Sequence, residues 1–447
     1  MRRQVRGFLA MLSHRTAVGS RPSLRAWALG FLALSILVST LPWARAAHAK
    51  LTIASKSYTV PGPWWGEGAA LEDLSQSGLM LLNLMSKGGH GGLSFSRVGE
   101  PKPSFQIELP EMREYAWKDG VYLEKPPGPF RFSPDGKSII GMQMPWLALI
   151  SLEARREIRR VRPCQQRLLL WQPLHQPYPP MPEAREDMLM AISPRDGLVA
   201  AGCVVKGGSE IVILDAELKR AVNRWMVPRP VQDLAWSPEG KELAVLYYDP
   251  PYPWDPKTGK WVGTPSPYPV EPNLSVFDPQ SGKELLRFNT SAFDAEVRFS
   301  PDGSSVYSIS HHLVFGGHGG WRKDTLRTFD SKTGEMKKRM VVPGTGVRDS
   351  FAVSPDGELI VAESTKDIPT PFWREPGMAL GEDYGFVILD SSTGGVLFRE
   401  KLRRPGDLAE PLPLFFSPDG KQVLANFINA EPGSTYATAI NVYSLGR

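Results

Sequence analysis

Phe132-Ser133-Pro134-Asp135-Gly136-Lys137 reads as a strand end, a tight turn and a restart, and five further stretches repeat it. They are Ile192-Ser193-Pro194-Arg195-Asp196-Gly197, Trp236-Ser237-Pro238-Glu239-Gly240-Lys241, Phe299-Ser300-Pro301-Asp302-Gly303, Val353-Ser354-Pro355-Asp356-Gly357 and Phe416-Ser417-Pro418-Asp419-Gly420-Lys421. The turn serines follow one another at intervals of 60, 44, 63, 54 and 63 residues. Proline presets φ at the first corner, aspartate bonds the local backbone, and glycine takes the left-handed position that closes the turn. Short apolar runs flank each copy, such as Leu243-Ala244-Val245 and Val423-Leu424-Ala425. Each copy is therefore expected to be the turn of a β-hairpin.

A second turn follows at a variable distance, as Phe277-Asp278-Pro279-Gln280-Ser281-Gly282, Phe329-Asp330-Ser331-Lys332-Thr333-Gly334 and Leu389-Asp390-Ser391-Ser392-Thr393-Gly394. Weaker forms stand at Leu214-Asp215-Ala216-Glu217 and Ser151-Leu152-Glu153-Ala154. Two hairpins per repeat make a four-stranded antiparallel unit, and units of this period build a β-propeller. A degenerate turn without proline, Asp73-Leu74-Ser75-Gln76-Ser77-Gly78, supplies a first repeat and raises the count from six blades to seven. The last repeat runs out after Thr438-Ala439-Ile440-Asn441-Val442-Tyr443, one strand short. The segment from Leu51-Thr52-Ile53 to Tyr58-Thr59-Val60 is a spare strand, expected to complete the last blade and close the ring.

On these motifs the chain resembles the bacterial WD-repeat-like propellers, including the repeats of TolB-type periplasmic proteins. The resemblance covers roughly residues 50–447 and implies an all-β fold with a single propeller; it says little of activity, because propellers host unrelated functions. The usual Trp-Asp pair is Phe-Asp or Leu-Asp here, and the one true pair, Trp254-Asp255, lies in an insertion.

Residues 1–49 form a segment of their own. Six arginines and no acid precede the apolar stretch Ala26–Leu41, and Ala47-His48-Ala49 follows as a small-residue cleavage pattern. This is the build of a secretory signal peptide, or of a membrane anchor if it is not cleaved. Without it the chain carries 45 basic against 47 acidic side chains, so the net charge moves from +5 to −2. No basic stripe is then expected, and nucleic acid is not an expected partner. Export would also let Cys164 and Cys203, the only cysteines, form a disulfide; two separate buried thiols are the alternative.

In an up-and-down blade of strands A to D, the A–B and C–D turns share one face. Both repeated turns fall on that plain face, which sends the insertions to the other, and loops on a rigid scaffold are the usual place for binding. The blade-four insertion, Asp249–Pro272, holds eight prolines with Tyr252, Trp254, Trp261 and Tyr268. The blade-six insertion carries Phe372, Trp373 and Arg374, and the connection entering blade three carries Trp171 and Tyr178. Trp, Tyr and Arg are common interface anchors, and proline lowers the entropy lost on ordering, so this face is expected to bind a protein or peptide. The alternative for any one aromatic is packing onto its own blade.

A polar site is the competing expectation. Gly88-Gly89-His90-Gly91-Gly92 and Gly316-Gly317-His318-Gly319-Gly320 duplicate a pentapeptide in the B–C connections of blades one and five, and His311-His312 stand near the second copy. An enzyme, cofactor or metal site near His90 and His318 would need loops reaching in to the axis, and no acidic third ligand stands at ligand spacing. No Gly-x-Ser-x-Gly elbow, phosphate-binding loop, His-Glu-x-x-His or Cys-x-x-Cys motif occurs. The sequence thus calls for no metal and no cofactor, and the non-catalytic exported scaffold is its preferred reading.

Overall fold

The computed structural model describes residues 51–60, 69–84, 92–100, 102–109, 116–117, 120–121, 129–143, 146–164, 188–205, 208–247, 254–255, 260–261, 273–288, 294–316, 319–342, 351–365, 384–402, 414–429 and 437–446. They form seven four-stranded antiparallel sheets, six with their strands in sequence order and the seventh completed by the first strand of the chain, plus two minor two-stranded ladders. Blade one comprises Ala69–Leu74, Leu79–Leu84, Gly92–Arg97 and Phe105–Glu108. Blade two comprises Phe130–Phe132, Ser138–Gln143, Trp146–Ser151 and Arg156–Val161, and blade three Met188–Ile192, Val199–Val205, Gly208–Leu214 and Ala221–Val227. Blade four has Val231–Trp236, Leu243–Tyr247, Leu274–Phe277 and Glu284–Phe288; blade five has Asp294–Phe299, Ser305–Gly316, Gly319–Asp330 and Met336–Val341. Blade six has Phe351–Val353, Leu359–Thr365, Tyr384–Asp390 and Val396–Leu402.

Blade seven is made from both ends of the chain. Leu414–Phe416, Gln422–Asn429 and Ala437–Gly446 supply three strands, and Thr52–Val60 pairs antiparallel with the last of them from Thr52↔Gly446 to Val60↔Thr438. The expected closure and the count of seven are both observed. The weak turn also holds: the Gly78 amide donates to the Ser75 carbonyl at 3.0 Å.

The core is distributed over the joints between blades. Leu149, Val199 and Val212 pack between blades two and three; Ile213, Trp236 and Val245 between three and four; Leu246, Phe288 and Val306 between four and five. Ile309, Ile360 and Leu389 join five to six, Phe95 and Phe130 join one to two, and Leu82 and Ile440 join seven to one. Between six and seven Phe386 lies edge-on to Tyr443 at 4.9 Å. The near-continuous apolar runs of strands B and C, such as Leu243–Tyr247, serve this arrangement, since their opposite sides meet different neighbours.

The two repeated turns close one face. In the A–B turn of blade five, Ser300 Oγ donates to Asp302 Oδ1 at 2.6 Å and the Ser305 amide returns to Ser300 Oγ at 2.9 Å. In its C–D turn the amides of Lys332 and Thr333 converge on Asp330 Oδ1 at 2.9 and 3.0 Å. Ser331 Oγ then donates to the Gly303 carbonyl at 2.7 Å, tying the two turns together, and Ser391 Oγ repeats this on Gly357 at 2.6 Å.

Neighbouring A–B turns also nest. A side chain at Gly420 would begin 3.4 Å from Cδ of Pro355 in the preceding blade, and Gly303 and Gly197 face Pro238 and Pro134 at 3.6 and 3.5 Å. The glycine–proline turn therefore fits its neighbour as well as itself. The series departs at blade four, where Gly240 meets Ser193 and Arg195, and it lapses around blade one, with nothing within 4 Å of Gly78 or of Gly136.

Candidate functional site

With the short turns on the plain face, every long connection leaves from the other. The B–C connections of blades four and six run from Tyr247 to Leu274 and from Thr365 to Tyr384, and the connection entering blade three runs from Val161 to Met188. No plain-face connection within a blade between successive strands is longer than that from Arg97 to Phe105.

The roots of these insertions are firmly held. Cys164 and Cys203 form a disulfide with Cα atoms 5.8 Å apart, and Met188 is the register partner of Cys203 in the ladder. One residue thus fixes both ends of the connection that carries Trp171 and Tyr178. Both cysteines are buried in the joint between blades two and three. At blade four the Tyr247 amide donates to the Asn273 carbonyl at 2.7 Å, so the insertion springs from one residue pair. The Arg229 guanidinium lies 4.7 Å from the centre of the Tyr247 ring, and burial pushes that phenol up to about 12. The Asn273 side-chain amide is fully buried with neither its oxygen nor its nitrogen bonded. At blade six, Thr365 and Tyr384 are register partners at the base of the insertion.

Within the blade-four insertion, Trp254 and Trp261 are cross-strand partners, as are Asp255 and Lys260, in a two-residue ladder. The Trp-Asp pair noted in the sequence therefore belongs to an extra hairpin. Trp171, Tyr178, Tyr252, Tyr268, Phe372, Trp373 and Arg374 lie outside the described residues.

His90 and His318 lie outside the described residues. His311 and His312 are in strand B of blade five, with Asp324 and Lys323 as register partners. That strand and the next run twelve residues each to the Gly316↔Gly319 pair. Gly316, Gly319 and Gly320 of the second pentapeptide therefore lie in these strands. Among the described residues no group of three His, Cys, Asp or Glu side chains is placed to hold a metal ion.

Polar chemistry near the axis comes instead from residues the sequence reading passed over. The first strands of neighbouring blades contact one another, so they line the axis. There Asp73 Oδ2 accepts the Phe132 amide at 2.7 Å, Glu72 Oε2 accepts the Phe130 amide at 3.3 Å, and Arg131 Nη1 donates to the Glu72 carbonyl at 2.6 Å. Three blades on, Asp233 Oδ2 accepts from the Val297 amide at 2.9 Å and from Arg298 Nη1 at 2.8 Å, and Arg298 Nη2 reaches Glu296 Oε1 at 3.1 Å. Burial raises the carboxyl pKa of Glu72 and of Asp73. Burial alone would lower Arg298, but the Glu296 and Asp233 carboxylates outweigh it and leave its pKa raised. These groups bond across blade joints, which makes them fasteners of the ring. Their signal was in the sequence: Phe130-Arg131-Phe132-Ser133 and Val297-Arg298-Phe299-Ser300 place arginine two residues before the turn serine.

One charge expectation is corrected. A near-neutral body still carries a basic stripe, because Arg155, Arg156, Arg159, Arg160 and Arg162 are all exposed along the outer strand of blade two.

No known protein family matches the sequence, and no curated protein does. Solved structures do match. The β-propeller domain of Cps50 (Swd1) from Myceliophteria thermophila is 10% identical, with a TM-score of 0.52 over 88% of this chain and 100% of that one. Hydrazine synthase from Kuenenia stuttgartiensis is 16% identical, with a TM-score of 0.51 over 85% and 95%. The WD40 domain of coronin from Toxoplasma gondii is 11% identical, with a TM-score of 0.50 over 89% and 87%. At such identities the likeness shows a WD40-like propeller and nothing of what it does.

Proposed function

We propose that this chain is a non-catalytic, exported propeller that binds a protein or peptide partner through its loop-bearing face. The observation that carries the reading is the asymmetry of the ring: short interlocked turns close one face, and all the long insertions rise from the other on rigid roots. Proline-rich segments bearing Trp, Tyr and Arg on such roots lose little entropy on engaging a partner. Export is supported by the basic and apolar build of residues 1–49, which would act as a signal peptide or stay as an anchor. The Cys164–Cys203 disulfide supports it too, since such bonds persist in oxidising compartments. The likeness of the repeats to TolB-type proteins adds a periplasmic setting.

The test is a cross-linking pull-down from envelope extract with residues 50–447 as bait, beside a Trp254→Ala/Trp261→Ala/Trp373→Ala variant first checked for folding. A partner held by the parent and lost by the variant is the expected result. Retention by the variant would move the binding surface elsewhere.

A further inference from the structure

The outer strand of blade two is unlike the other outer strands. Between Glu153 and Arg162 the chain places five exposed arginines and two glutamates. Glu157 is engaged by Arg160 at 2.6 Å, and Arg155 lies over the Phe105 ring at 5.0 Å. Arg156, Arg159 and Arg162 have no ion pair or hydrogen bond to any described side chain. Elsewhere an outer strand carries at most one such arginine, Arg339 in blade five and Arg399 in blade six, and other outer-strand cations are occupied. Arg287 pairs with Glu284 at 2.6 Å in blade four, and Lys337 pairs with Asp330 at 3.0 Å in blade five. Charged side chains commonly guard sheet edges against pairing, but that role does not call for three such arginines clustered on one outer strand.

Register places Arg159 opposite Leu149 and Arg156 opposite Ser151, on the side toward blade three. Arg162 stands one step beyond the Leu147↔Val161 pair, level with Trp146, which is 37% exposed. Ile158, at the irregularity in the ladder, is 49% exposed among these cations. From Arg156 to Arg162 the strand extends about 20 Å at roughly 3.3 Å per residue. The disulfide at Cys164, two residues on, fixes its far end.

We propose that this edge is a docking rail for an extended acidic peptide segment of a partner protein, whose carboxylates pair with Arg156, Arg159 and Arg162. Guanidinium forks bind carboxylates bidentately, and the exposed Ile158 and Trp146 give apolar contacts that a phosphate polymer does not use. The rail is fixed before binding, so little order has to be imposed on this side. The inference stands apart from the loop face and from export.

The probe is a fluorescent twelve-residue peptide alternating Glu or Asp with Val or Leu, titrated against residues 50–447 at low and physiological salt. Its controls are the same peptide with Gln and Asn for the acids, and a twenty-residue oligothymidylate. Arg156→Ser/Arg159→Ser/Arg162→Ser should weaken the acidic peptide at least tenfold. A control removing equal charge elsewhere, Arg195→Ser/Arg220→Ser/Lys421→Ser, should change it less than twofold. Equal losses in both variants, binding of the neutral peptide as tight as the acidic one, or tighter binding of the oligonucleotide would each overturn the proposal. So would no binding of the acidic peptide to the parent.

Discussion

Arg131 and Arg298 occupy one position in two blades set three apart around the ring, and each donates to the first strand of the blade before it. Arg298 meets the Asp233 carboxylate, whereas Arg131 meets the Glu72 carbonyl while Glu72 and Asp73 take backbone amides. The same fastener is built from different atoms. Arg298→Ala should cost about 1 kcal/mol, the charge-assisted bonds being discounted for a guanidinium 39% exposed. Arg131→Ala should cost a similar amount, and because the sites are remote the double variant should be additive in urea titrations.

The axial carboxyls should make stability fall as pH rises. Burial holds the folded pKa of Asp73 above its unfolded value, so the folded state keeps a proton that the unfolded state has released. The penalty is absent below the unfolded pKa of about 3.9 and grows as pH climbs toward the folded one. Asp73→Asn removes this dependence. The variant should gain stability relative to the parent on going from pH 4 to pH 7, as read by melts at matched ionic strength; a flat difference across that range would refute the assignment.

The turn aspartates should act in the opposite sense. Hydrogen bonds from Ser300 and Ser417 hold Asp302 and Asp419 below the usual range, and the Lys337 contact holds Asp330 at about 2. Their contribution is present above the unfolded pKa and is lost as pH falls through the folded values. Acid unfolding should therefore set in below about pH 4. Asp302→Asn should make that acid limb shallower in denaturant titrations between pH 2 and pH 5.

Glycines of the two kinds of turn should respond unequally to alanine. Gly136 has φ +66° and open space around it, so Gly136→Ala should cost only the left-handed strain, about 1 kcal/mol. At Gly394, φ is +74° and a new Cβ would lie 2.8 Å from Cγ of Met340, so the loss should be larger. Thermal melts of the two variants would separate backbone strain from crowding between blades.

Opening the disulfide should be costly. The bond closes a separation of 39 residues, and the chain-entropy estimate for such a loop is about 4 kcal/mol. Cys164→Ser/Cys203→Ser should lower the urea midpoint and speed tryptic cutting at Arg167 and Arg185, the basic sites of the connection beyond Cys164. Unchanged cutting would mean that the strand pairing of Met188 alone secures the loop.

How much of this was legible in the sequence depends on how local the cause is. The turn serines, prolines and glycines act within five residues, so blade number, strand order and the face of each turn could all be read from them. The closing strand could be read as well, because the last repeat lacked a strand and Thr52–Val60 was spare. What escaped was contact between repeats. Pro355 against Gly420 and Arg298 against Asp233 join residues about one blade apart; the arginine two residues before the turn serine could be seen, but not the residue it meets. The hairpin that pairs Trp254 with Trp261 was announced by Asp255-Pro256-Lys257-Thr258-Gly259, the second turn motif again, but it stands inside an insertion and outside the repeat period. The blade-two arginines were visible as a run, but net charge averaged them away.

The strand that closes the ring also decides how the protein bears tension. Thr52 lies level with Gly446 at the plain-face end, and the strand runs from there toward the loop face. A partner pulling on the loops against a tether on the residues before Thr52 would load the strand lengthwise. All nine pairs from Thr52↔Gly446 to Val60↔Thr438 would then resist together in shear. Pulling the chain's two ends apart would instead unzip the same ladder one pair at a time, so the joint is strong in one direction and weak in the other.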